Sequence, residues 1–100
     1  MKEVGLMLHD ARIVRMQIVQ KNYIWQDVTL TLDTSGAMAD AKRLCLQHCT
    51  ELETDDLTGC WWMGEEIVRC DGSWHLRAAL EDADGVKKHL YAVCQRIALE

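Results

Sequence analysis

Four tryptophans stand in a chain with no phenylalanine and only two tyrosines, and they are the side chains with the most recognition chemistry to offer. Trp61 and Trp62 are adjacent, with Glu65 and Glu66 a few residues on. Carboxylates beside indole faces suit a cationic guest, because the ring's quadrupole and the negative charge both attract it. Trp25 and Trp74 extend the set, so the expected ligand-binding or interface residues are Trp61, Trp62, Trp25, Trp74, Glu65 and Glu66. The stretch Gly64-Glu65-Glu66 reads equally well as a solvated turn.

Cys45, His48 and Cys49 would fall at i, i+3 and i+4 of a helix and could converge on one side of it, and thiolates with imidazole are zinc ligand types. A closed site would need a fourth ligand such as Cys60. There is no Cys-x-x-Cys pair, and Cys45 lies on an apolar stripe, so buried thiols are the simpler reading and no metal or cofactor is expected. The same residues could pair as nucleophile and base, yet free cysteines usually serve as small hydrophobes. His9-Asp10 reads as a local turn contact, while His75 and His89 fall on polar sides of their elements. No glycine-rich phosphate loop, Gly-x-Ser-x-Gly elbow or His-Glu-x-x-His helix occurs, and no catalytic residue is expected.

These side chains need a scaffold, and 100 residues with 49% hydrophobic and 27% charged content is the composition of one globular domain spanning 1–100. A formal net charge of −5 works against a phosphate backbone, so nucleic acid is not an expected partner. No apolar run approaches the roughly 20 residues a membrane helix needs, and the opening residues do not read as a signal peptide. The five cysteines lack the spacing of a secreted disulfide framework. The expectation is a cytoplasmic protein with reduced thiols and no membrane contact.

Hydrophobic period then assigns the elements. Val14, Met16 and Ile18 alternate with Arg15 and Gln17, and Val28, Leu30 and Leu32 alternate with Thr29 and Thr31, both as strands. Ala37, Ala41, Leu44, Cys45, His48 and Leu52 fall at helical spacing and predict a helix over about 36–52. Residues 60–63 and 67–70 read as short strands, and Asp71-Gly72 turns the chain into an alternating Trp74, Leu76, Ala78 and Leu80. Val86, Leu90, Val93, Cys94 and Ile97 form one stripe and predict a C-terminal helix. The resulting fold class is α+β: an antiparallel sheet of about five or six short strands with two helices on one face. A shift of 49 pairs Trp25 with Trp74, Gly36 with Gly85 and Cys45 with Cys94, while the strands align better at 48. A duplicated strands-then-helix unit, with a bulge near Asp27, would account for both.

On such a sheet, Trp61 and Trp62 point to opposite faces, and helices on one side cannot shelter both. The second indole needs a loop or terminus, another subunit or a stacked ligand. The functional expectation is a non-enzymatic binding or interaction module that forms a homo-oligomer through an uncovered face or a strand edge. The alternative is a small-molecule binding protein or minor enzyme with a Trp-lined pocket for a cationic or aromatic ligand.

Overall fold

The structure, a computed structural model, describes residues 5–100, and these contain strands and turns with no helix. The α+β expectation is thereby corrected to an all-β fold. The strands are β1 (Arg12–Gln20), β2 (Gln26–Asp33), β3 (Arg43–Cys49), β4 (Glu51–Thr54), β5 (Trp61–Cys70), β6 (Ser73–Glu81), β7 (Lys87–Cys94) and β8 (Arg96–Leu99). They form one antiparallel sheet in the order β4-β7-β6-β5-β1-β2-β3-β8. Only Thr50 separates β3 from β4, and only Gln95 separates β7 from β8. The two ends of the order are thus the same two ribbons, paired from Leu44 opposite Leu99 through to Thr54 opposite Leu90. The sheet closes into a barrel of six ribbons whose interior is filled by side chains.

Both expected helices are replaced by bent strands, and the bends explain the misleading periods. In β3, Leu46 lies opposite Val28 but Cys49 lies opposite Gln26, so β3 carries one residue more than β2. His48 absorbs it at φ 54, the left-handed region, and its N–H donates to Asp27 Oδ1 at 3.0 Å. This bulge turns Cys49 inward three residues after Leu46, a helical spacing produced by a strand. In β7, Leu90 and Ala92 alternate inward, and then Val93 and Cys94 are both buried where the chain kinks into β8. Their adjacency mimics one stripe of a helix.

The two halves are related by a pseudo-twofold axis whose evidence is reciprocal hydrogen bonding. The Asp10 N–H donates to Trp62 O at 2.8 Å and the Gly59 N–H to Ile13 O at 2.7 Å. The Ile13 N–H donates to Cys60 O, and the Trp62 N–H to Ala11 O, both at 2.8 Å. Each bond maps onto its counterpart at an offset of 49, and so do the bulges between Ile13 and Arg15 in β1 and between Trp62 and Gly64 in β5. What recurs is a three-ribbon meander rather than strands followed by a helix. The offset falls to 48 on β6, where Ile67 faces Leu76 as Ile18 faces Val28. On β7 it is 46, where Leu90 faces Ala78 as Leu44 faces Leu30. The ladder counterparts of Trp74 and Cys45 are therefore Gln26 and Tyr91, and the pairings of Trp25 with Trp74 and of Cys45 with Cys94 do not hold in three dimensions.

Candidate interaction surface

Residues 61–63 are extended at the start of β5, and Trp61 and Trp62 do point to opposite sides. Trp62 is fully buried inside the barrel, where it occupies the position that Ile13 fills in the other half. Trp61 lies on the outside, 37% exposed, with the Arg12 guanidinium 5.8 Å from its ring centre. The barrel interior thus covers Trp62, while Trp61 keeps an exposed face beside Arg12. Trp25 is half-buried and stacks against His48 at 4.9 Å. Trp74 lies under Arg69 at 4.8 Å and, with Leu6, Ile67, Arg96 and Ile97, lines a cavity of about 180 Å³. The four indoles are not gathered into one pocket. The cavity is also smaller than the roughly 300 to 1,000 Å³ of most ligand sites, and the charged side chain that lines it is Arg96 rather than a carboxylate.

Glu65 has a structural task that sequence reasoning missed. Its Oε1 accepts the Trp62 indole N–H at 2.8 Å, and its Oε2 accepts the backbone N–H of Leu6 at 3.3 Å. One carboxylate thereby satisfies a buried indole and ties residues 5–8 across the end of the barrel. Glu66 is exposed on the outer face, opposite Arg77. The residues weighed as zinc ligand types lie on a bulged strand instead of one helix face: His48 stacks on Trp25, Cys49 is buried, and no group of three metal-ligating side chains occurs among the described residues. The adjoining Cys94 thiol and burial together push Cys49 far above the ordinary thiol range, so it is held as an unreactive thiol. His9 Nδ1 lies 3.1 Å from Asp10 Oδ2 in an exposed local contact.

The feature that sequence reading did not locate is a strand edge. β1 and β5 meet at one ladder pair, Arg12 with Trp61, and then diverge. From Val14 to Gln20, β1 is paired only with β2, so its other edge has no ladder partner among the described residues. Val14, Ile18 and Val19 are exposed along it, Met16 is partly buried against the core, and Arg15 is its single charge. Beyond the edge, the hairpin tip exposes Tyr23 and Ile24. The pseudo-equivalent edge on β5 carries Glu65, Glu66 and Arg69, the kind of charge that normally discourages strand addition.

The barrel mouths beside these edges differ in the same sense. Next to β5, Leu6 and the inward-facing Ile67, which is 2% exposed, line one cavity. Next to β1, the counterpart of Ile67 is Ile18 and the counterpart of Leu6 is Asp55. Asp55 turns to β7 instead: its N–H donates to His89 O at 3.1 Å and its Oδ2 accepts the His89 N–H at 2.9 Å. Ile18 is left 43% exposed in a cleft of about 310 Å³ lined by Met16, Ile18, Thr54, Asp55 and Asp56. Comparison with protein-family models, curated proteins and solved structures finds no match to this chain.

Proposed function

We propose that the protein is an interaction module that self-associates through the free edge of β1. The observation that carries this reading is the contrast between two equivalent edges: one guarded by charges and by residues 5–8, the other a bare row of Val14, Met16, Ile18 and Val19. An edge of seven residues that has no ladder partner among the described residues and carries four apolar side chains is a template for another strand. A Trp-lined small-molecule pocket has less support, because the indoles are dispersed and the cavity that Trp74 borders holds none of the other three.

Sedimentation velocity from 5 to 300 µM tests the reading. The wild-type chain is expected to shift from monomer to dimer across this range, and Ile18→Lys or Val19→Lys, which place a cation on the edge, to remain monomeric. A wild-type chain that stays monomeric at high micromolar concentration overturns the proposal.

A further inference from the structure

Resting on that reading, we infer that the second copy enters in a single register, β1 against β1 antiparallel about Gln17, and that Asp55 is what leaves the Ile18 socket open to receive it. The register follows from the free segment. Gln17 is the midpoint of 14–20, so only a twofold axis there gives every residue of the unpaired edge a partner. Val14 then faces Gln20, Arg15 faces Val19, and Met16 faces Ile18 of the other copy. An isologous contact of this kind is self-complementary and closes at two subunits.

Side-chain faces agree with this register. Met16 and Ile18 lie opposite Leu30 and Val28, both fully buried, so both point toward the barrel mouth. Residues directly opposed in an antiparallel pair share a face, and the two Met16-Ile18 pairs would therefore meet at the mouths and cover one another. The alternate face brings Arg15 against Val19, which keeps the two Arg15 cations apart.

The nature of the socket is shown by its twin. At the equivalent mouth, Leu6 of the same chain lines one cavity with Ile67, and both are buried, at 8% and 2% exposure. The molecule thus covers one isoleucine in cis with an aliphatic side chain and leaves the other for an aliphatic side chain in trans. Replacing Asp55 with leucine recreates the plug within the chain.

Two measurements on the full chain test this. In a disulfide-trapping assay with diamide as the mild oxidant, Gln17→Cys places one thiol opposite itself at a Cα separation a disulfide can span. Gln20→Cys places the two thiols roughly 20 Å apart, six residues of strand from each other. Gln17→Cys is expected to give mostly covalent dimer, and Gln20→Cys and the wild type little. In sedimentation, Asp55→Leu is expected to weaken self-association at least tenfold. If the wild type dimerises but Gln20→Cys traps as efficiently as Gln17→Cys, or Asp55→Leu leaves the dissociation constant unchanged, the register and socket are wrong while self-association stands. A monomeric wild type removes both.

Discussion

Glu65 decides whether the largest buried side chain is tolerated. An indole inside the barrel contributes about 150 to 250 Å² of buried surface, but its N–H must find an acceptor or the burial is penalised. Removing the acceptor with Glu65→Ala strands the Trp62 N–H, and the expected loss is about 1 to 3 kcal/mol. Trp62→Ala leaves a void in the interior and is expected to lose about 3 to 5 kcal/mol. Urea unfolding of the two variants and their double checks this. The double should cost less than the two single losses added, because Glu65 loses much of its role once the indole is gone. That Trp62 would be buried and Trp61 exposed was half legible: adjacency on a strand fixes opposite directions, but which one faces inward depends on a bulge no local pattern announces. Glu65 was singled out for a guest's charge. The donors it meets are the chain's own, and the contact to Leu6 spans 59 residues, beyond the reach of sequence spacing.

At the scale of elements, period-2 alternation was reliable wherever the strand was straight. β2 and β6 follow their apolar residues, and Asp71-Gly72 forms the two-residue turn between β5 and β6 with φ of 52 and 79, as a twist-matched hairpin demands. Alternation failed where strands bend. The His48 bulge and the Val93-Cys94 kink rephase the inward residues, and in a window of fifteen residues a rephased strand has the arithmetic of a helix. Connections contribute their own energetics. Asp33 accepts the Ser35 N–H at 3.0 Å and Asp56 accepts the Thr58 N–H at 3.1 Å, and these bonds hold both carboxyls below their ordinary value of 3.8. Depressed folded-state values mean a contribution to stability that is present above pH 3.8 and disappears as pH falls through the lowered values. The double variant Asp33→Asn, Asp56→Asn keeps side-chain acceptors but cannot titrate. Its melting temperature is expected to fall less than that of the wild type between pH 5 and pH 2, measured by circular dichroism.

For the whole molecule, the closure of the sheet was the least legible property. The strand pairs that close it join β3 and β4 to β7 and β8, and residues 36 (Thr54 and Leu90) to 55 (Leu44 and Leu99) apart must meet for the interior to exist. No local feature encodes that meeting, so one-sided helical cover was the natural expectation in its place. The seam between β1 and β5 is the narrowest joint, held by one ladder pair and the reciprocal bonds at Asp10, Ile13, Gly59 and Trp62. Because each bond depends on the strand that its counterpart positions, the set should open as a unit. Native-state hydrogen exchange is expected to show these four amides opening with a common free energy, below that of the β2–β3 and β6–β7 ladders. Four unrelated values would show that the seam is not cooperative.

The Leu6 plug has a consequence for how far assembly can run. With Leu6 seated, a molecule offers one bare edge, and pairing ends with two copies. Were Leu6 withdrawn and the charges of Glu65, Glu66 and Arg69 removed with it, the pseudo-twofold would present a second bare edge, and edge addition would propagate from both sides as a growing filament. The Leu6 side chain and those three charges together mark the difference between a finite particle and an open-ended polymer.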